Sequence, residues 1–126
     1  MLLAVGEHVL EDFPRDSVRW VTALAGGLGC GHEEMCGALS GGAVVIGALY
    51  GRARPGINDK LAQELARRYR DAFLVEYGCT QCAAVRERIR GEDGESRCAE
   101  LVEWAAGVLL DLLADVPPDG QPAAGR

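Results

Sequence analysis

The stretch that decides the fold is residues 35–50, which read MCGALSGGAVVIGALY. Its side chains are apolar or small nearly all the way round a helix, whereas a helix at the surface of a globular protein keeps a polar face. The run covers about 16 residues, fewer than the roughly 20 that a membrane span needs. We therefore predict a buried helix, from about residue 32 or 33 to residue 50, at the centre of the molecule.

The small residues of this helix predict tight packing around it. Glycine costs a helix interior about 1 kcal/mol relative to alanine, so a run of small residues needs a compensating gain. Close approach of neighbouring backbones supplies that gain. The residues concerned are Gly37, Ala38, Ser40, Gly41, Gly42 and Ala43.

The rest of the chain reads with helical period and shows no sustained strand alternation, which predicts an all-α fold. We expect a compact bundle of about five to six helices around the central apolar helix. A first helix is expected over about residues 2–12, and Asp16 or Ser17 can cap a second. Asn58 can cap a long amphipathic helix that Gly78 ends, and Ser96 can cap the last helix.

Length and composition predict one domain and a tail. A chain of 126 residues is near the usual size of a single domain. The glycine-rich residues 26–31 are expected to form a tight loop. We assign residues 1–116 to a single helical domain and residues 117–126, rich in Pro, Gly and Ala, to a flexible tail.

The charge balance narrows the classes of function. A formal net charge of -6 argues against nucleic-acid binding, which needs an accumulated positive face. The first residues lack the basic and apolar regions of a secretory signal, so a cytoplasmic location without a membrane span is expected. Cytoplasmic thiols are kept reduced, so five cysteines indicate redox chemistry, metal binding or buried structural thiols rather than permanent disulfides.

Three cysteines are expected at the starts of helices. Cys82 and Cys98 would lie in the first turns of their helices, and Cys36 about one turn into the central helix. Free backbone N–H groups at a helix start stabilise a thiolate and lower a cysteine pKa. At Cys36 the neighbouring Glu33 and Glu34 oppose this effect, so the direction of its pKa shift stays open. Arg86 and Arg97 would add positive charge beside Cys82 and Cys98. These thiols are the candidate reactive groups.

Metal ligation is the main alternative. Cys79 and Cys82 form a CxxC element, whose sulfurs can pair or share one metal. Cys30, His32 and Cys36 form a second group, in which His32 and Cys36 would share a helix face. Together with Cys98, these residues could hold zinc or an iron-sulfur cluster. A further alternative is a helical interaction module with merely packed cysteines, and no nucleophile, base and orienting residue can be assembled from the sequence.

The cysteines also carry a family resemblance. The glycine-rich loop, the element Cys36-Gly37-Ala38-x-x-Gly41, Cys82 after Tyr77-Gly78 and Cys98 before Leu101 resemble the redox-active proteins with the C_GCAxxG_C_C pattern. The resemblance covers about residues 2–112 and implies a small all-helical protein with a cysteine-based redox role. The family's early cysteine is replaced around Val5 and Gly6, and Cys30 and Cys79 are additional to the pattern.

These observations predict thiol-disulfide exchange or electron transfer through Cys36, Cys82 and Cys98. The expected partner is a redox protein or a small thiol. Trp20 and Trp104 are expected to anchor the core or an interface, which together with the apolar central helix makes a homodimer a reasonable assembly.

Overall fold

The structure is a computed structural model and describes residues 1–118. Within that range the chain forms six α-helices and no strand, which confirms the all-α prediction. They are α1 (Leu2–Val9), α2 (Val18–Val21), α3 (Gly37–Tyr50), α4 (Lys60–Tyr77), α5 (Cys82–Arg88) and α6 (Cys98–Ala114). Two 3-10 turns, Arg15–Ser17 and Thr22–Leu24, flank α2. From residue 119 onward, the predicted tail lies outside the described residues.

Helix α3 lies at the centre of the bundle and packs against α1, α4 and α6. Its Val45 and Ile46 side chains are buried. A Cβ atom at Gly42 would overlap the ring of Tyr69 in α4, and the Tyr69 hydroxyl donates a 2.9 Å hydrogen bond to the carbonyl of Ala38. The expectation that small residues allow a tight helix crossing is confirmed here.

Helices α4 and α6 cover one side of α3. Phe73 in α4 is fully buried, and Trp104 in α6 meets its ring edge-on with the ring centroids 6.0 Å apart. Gly78 ends α4 in the left-handed conformation at φ 71, as predicted. At the other end Asn58 accepts a 3.0 Å hydrogen bond from the Lys60 amide, although Asp59 occupies the N-cap position itself.

Helix α3 begins at Gly37, later than the sequence predicted. The predicted start at residue 32 or 33 is wrong because the preceding loop runs through the left-handed region. Positive φ angles occur at Gly26, Gly27, Leu28, Gly29, Cys30 and His32. Consequently Cys36 is the N-cap of α3, and His32 and Cys36 do not share a helix face.

Three further predictions, on the end of α1, the N-cap of α6 and the position of Trp20, differ from the structure. Helix α1 ends at Val9 rather than residue 12, because the backbone of Leu10 is already extended, with φ -101 and ψ 121. Arg97 is the N-cap of α6, since the hydroxyl of Ser96 donates instead to the carbonyl of Arg86 at 3.0 Å. Trp20 is 82% exposed and is therefore not a core residue.

None of the helices formed by residues 1–118 is both long enough and apolar enough to cross a bilayer.

Candidate functional site

A cavity of about 480 Å³ brings the three predicted cysteines together. Cys36, Cys82 and Cys98 all line it, at the starts of α3, α5 and α6. Most of the remaining wall is aliphatic, and it is formed by residues of α1, α2, α3, α5 and α6 and of the Thr22–Leu24 turn. A volume of this size lies within the usual range of small-molecule sites, roughly 300–1,000 Å³.

A short antiparallel pairing ties the start of α3 to the start of α5. Met35 and Gln81 form the bridge between the two segments. The Cys36 amide donates to the carbonyl of Thr80 at 2.8 Å, and the Cys82 amide donates to the carbonyl of Glu34 at 2.7 Å. This pairing fixes two of the three cysteines relative to each other.

The register of this pairing places Cys36 and Cys82 on the same face. Successive side chains of an extended segment alternate, so with Met35 opposite Gln81 the neighbouring positions 36 and 82 point to the other side together. They are diagonal neighbours, which in an antiparallel pair lie about 7–8 Å apart between Cα atoms. A disulfide needs Cα atoms within about 7 Å, so the ideal spacing for diagonal neighbours lies at or just beyond that limit.

A second short pairing brings in Cys98. Arg90 and Ser96 form an isolated bridge across the turn between α5 and α6. The Arg97 amide donates to the carbonyl of Ile89 at 3.1 Å, which places the N-cap residue of α6, next to Cys98, beside the end of α5. The chain therefore holds three cysteines distant in sequence at one cavity by backbone hydrogen bonds.

The glycine-rich loop packs directly against Cys82. A Cβ atom at Gly27 would lie 2.6 Å from the Cβ of Cys82, so only glycine allows the loop to approach this closely. The loop is closed by hydrogen bonds from the Cys30 amide to Ala25 O at 3.0 Å and from the His32 amide to Gly26 O at 2.9 Å. This left-handed loop places the side chain of His32 beside Cys82.

His32 contacts the sulfur of Cys82. Its Nδ1 atom lies 3.3 Å from the Cys82 Sγ, and its Nε2 atom lies 2.7 Å from Nη1 of Arg86. The thiol of Cys82, the imidazole of His32 and the guanidinium of Arg86 are therefore in contact one after the other. The sequence alone did not predict this arrangement. Arg86 was expected near Cys82 from its position four residues later, but its contact with His32 joins residues that are 54 positions apart.

Burial governs the pKa of the two inner thiols. Desolvation raises the pKa of Cys36, and the backbone amides of Ala38 and Leu39 act against that rise. Desolvation also raises the pKa of Cys82, and the positive charge of Arg86 acts against it. Negative charge on Cys98 would raise the pKa of both thiols, so ionisation of the cavity cysteines is coupled.

The expectation that the helix start lowers the pKa of Cys82 is wrong, because desolvation by burial raises it. The first two amides of α5 are already used, because Cys82 donates to Glu34 and Ala83 donates to the carbonyl of His32 at 2.8 Å. An amide that is already bonded gives little further stabilisation to a thiolate. The groups placed to stabilise a Cys82 thiolate are instead the side chains of His32 and Arg86.

The two additional cysteines lie outside the cavity wall. Cys30 is exposed in the left-handed loop. Cys79 is half-buried, and its thiol donates to the carbonyl of Tyr77 at 3.4 Å. All five cysteines are in the free thiol form.

Potential metal ligands are not grouped in the part of the chain that the structure describes. Within residues 1–118 no three His, Cys, Asp or Glu side chains are placed to hold one metal ion. His32 contacts Cys82 rather than Cys36. The arrangement therefore offers the metal-binding alternative no structural support.

Fold and site together define a small all-helical protein with a cavity lined by cysteines at the starts of three helices. The chain matches the family described as "Putative redox-active protein (C_GCAxxG_C_C)" over residues 1–112, and it belongs to that family. This confirms the resemblance found in the sequence and supports a general redox activity. Comparison with curated proteins and with solved structures gives no match.

Proposed function

We propose that this protein carries out thiol-disulfide exchange through Cys36, Cys82 and Cys98, with a redox protein or a small thiol as its partner. The observation that carries the proposal is that these three cysteines line one cavity. Nothing in passive packing requires residues from the starts of three helices to meet, whereas disulfide exchange needs sulfurs within bonding reach. The packed-cysteine alternative predicts scattered sulfurs, which does not match this arrangement.

The exposure of the thiols suggests an order of events. Cys98 is exposed, Cys36 is half-buried and Cys82 is buried. A partner disulfide reaches an exposed sulfur first, so Cys98 is the proposed attacking thiol. Its thiolate bonds to one partner sulfur, the partner S–S bond breaks, and one partner thiolate leaves.

A second cavity cysteine completes the exchange. Cys36 or Cys82 attacks the Cys98 sulfur of the mixed disulfide, an intramolecular S–S bond forms, and the second partner thiolate leaves. Two electrons pass from two protein thiols to the partner disulfide, and the two thiol protons pass to the released thiolates. Although burial raises the pKa of both candidates and reduces their thiolate fractions, their proximity to Cys98 compensates because the step is intramolecular.

Oxidation with glutathione disulfide tests the proposal. Reduced protein is incubated with this oxidant, trapped with acid and alkylating agent, and mapped by peptide mass spectrometry. We expect a disulfide joining two of Cys36, Cys82 and Cys98, and at least a tenfold slower oxidation for Cys98→Ser. Cys30→Ser and Cys79→Ser are the matched controls and should change the rate less than twofold.

A disulfide that instead involves Cys30 or Cys79, or no disulfide among the three cavity cysteines, would contradict the proposal. Elemental analysis of anaerobically prepared protein separates the metal-binding alternative. Stoichiometric zinc or iron that is lost in Cys36→Ser or Cys82→Ser would favour that alternative.

Location and assembly remain predictions. Thiol-disulfide exchange that starts from free cysteines suits a reducing compartment such as the cytoplasm. Trp20, which is 82% exposed, is the side chain that we propose as an anchor of a homodimer, since exposed tryptophan is enriched at interfaces.

A further inference from the structure

We infer that Arg86 and His32 form a hydrogen-bonded relay that directs the Nδ1 proton of His32 at Cys82 and makes Cys82 the preferred leaving sulfur of the cavity disulfide. This inference rests on the proposed function, because it assigns a role within the same exchange. Arg86 acts through His32 and is therefore a positioning residue. His32 is the group that contacts the reacting sulfur.

The identity of the donors fixes the tautomer of His32. Arginine carries five N–H donors and no acceptor, so at 2.7 Å the Nη1 atom of Arg86 donates to Nε2 of His32. Nε2 must then offer its lone pair, and the proton of the neutral ring is on Nδ1. That proton faces the Cys82 sulfur, which is 3.3 Å from Nδ1.

The backbone holds the imidazole in this position. His32 has a φ of 61, a left-handed conformation that histidine and asparagine tolerate better than most side chains. Its amide donates to Gly26 O at 2.9 Å, and its carbonyl accepts from the Ala83 amide at 2.8 Å. His32 is thus bonded on one side to the loop and on the other to the helix that carries Cys82.

The relay distinguishes Cys82 from Cys36. Both inner thiols are desolvated, but among the side chains of residues 1–118 an N–H donor lies beside the sulfur of Cys82 alone. When a thiolate attacks the partner sulfur of a disulfide containing Cys82, a new S–S bond forms and the old bond breaks. The electron pair of the broken S–S bond stays on the Cys82 sulfur, where the His32 N–H stabilises the new thiolate. The proton stays on His32 throughout.

A charge-assisted hydrogen bond is worth more than a neutral one. Stabilisation of the leaving thiolate speeds disulfide cleavage. The same hydrogen bond raises the reactivity of reduced Cys82 toward an alkylating agent, because the thiolate is the nucleophile. Loss of the donor should therefore slow the alkylation of Cys82 about tenfold, a factor equivalent to about 1.4 kcal/mol.

Nitrogen-15 NMR of the full reduced chain tests the tautomer without reference to any redox partner. We expect the proton of neutral His32 on Nδ1, and Arg86→Met should move it to Nε2. Arg88→Met, in the same helix and exposed, is the matched control and should leave it on Nδ1. A proton on Nε2 in the wild-type chain would overturn the inference.

Peptide-resolved alkylation at one fixed pH tests the consequence for Cys82. Iodoacetamide labels the reduced wild-type and variant chains, and Cys79 in the same digest is the internal reference. Arg86→Met and His32→Ala should slow Cys82 labelling about tenfold. His32→Asn should restore it, because the asparagine amide presents a donor near the position of Nδ1 and tolerates the left-handed backbone.

The double variant of His32 and Arg86 separates the effect that Arg86 exerts through His32 from its direct effect on Cys82. In the His32→Asn background, Arg86→Met should slow Cys82 labelling by only twofold to threefold, since only the direct effect of the arginine charge remains. Equal slowing in both backgrounds would overturn the relay. If the relay effects are found but no disulfide joins any two of Cys36, Cys82 and Cys98, the proposed function fails while the hydrogen-bonded relay stands. A disulfide between Cys36 and Cys98 alone would support the proposed function and overturn the role of Cys82 as the leaving sulfur.

Discussion

The contact between Gly27 and Cys82 allows one substitution to be worked out in detail. Gly27 has a φ of 69, and a Cβ atom there would lie 2.6 Å from Cys82 Cβ and 2.9 Å from the carbonyl oxygen of Glu34. Carbon atoms in contact stay about 3.5 Å apart or more. In Gly27→Ala the start of α5 must therefore move by about 1 Å.

That movement breaks hydrogen bonds of known length. The bonds from the Cys82 amide to Glu34 at 2.7 Å and from the Ala83 amide to His32 at 2.8 Å would both stretch beyond the usual limit of about 3.2 Å. Each is worth about 1 kcal/mol. An alanine in the left-handed region adds about 1–2 kcal/mol, so Gly27→Ala should lower the free energy of unfolding by about 3–4 kcal/mol.

Gly29→Ala is the matched control. Gly29 lies in the same loop with a φ of 61, but a Cβ atom there meets nothing within 4 Å. This variant should lose only the backbone term of about 1–2 kcal/mol. Urea unfolding of both variants measures the difference of about 2 kcal/mol, which corresponds to roughly 8 °C in Tm for a chain of this size. Equal losses in the two variants would refute the steric argument.

Three further predictions concern stability and assembly. Tyr69→Phe removes the buried hydrogen bond to Ala38 and should cost about 1 kcal/mol in urea unfolding; an unchanged midpoint would contradict this. The pKa values of the Cys36 and Cys82 thiols are raised in the folded chain. Above about pH 8.5 the folded chain therefore binds more protons than the unfolded chain. The free energy of unfolding should therefore fall as pH rises from about 8.5 to 10, and Cys36→Ser should reduce that slope in a pH series of urea titrations. Trp20→Ala should change stability by no more than about 0.5 kcal/mol yet weaken the predicted homodimer, and an unchanged elution volume in size-exclusion chromatography would remove Trp20 from any interface.

The helices and the central position of α3 could be predicted because both depend on local pattern. The apolar residues of α3 have no polar face to turn outward, and Gly78 ends α4 for a local reason. The start of α3 was missed because positive φ angles at Leu28, Cys30 and His32 are unusual for residues with a side chain. Periodicity carries no signal for such a loop.

The cavity cysteines could be selected from the sequence, but their surroundings could not. Cys36, Cys82 and Cys98 were chosen by helix position and by resemblance, and the structure places all three at one cavity. The contacts of His32 with Cys82 and Arg86 depend on how a left-handed loop meets a distant helix. Such long-range pairings follow from tertiary packing, which residue spacing does not encode.

The positions of the cavity cysteines along the chain imply that their oxidation changes the stability of the fold. A disulfide between Cys36 and Cys82 would close a loop that contains α3 and α4 whole, and one between Cys82 and Cys98 would close a much shorter loop around α5. In the chain-entropy treatment, the first bond restricts the unfolded chain by about 4 kcal/mol and the second by about 3 kcal/mol. Oxidation would therefore make the bundle harder to unfold, and resistance to proteolysis would report which pair of cysteines had joined.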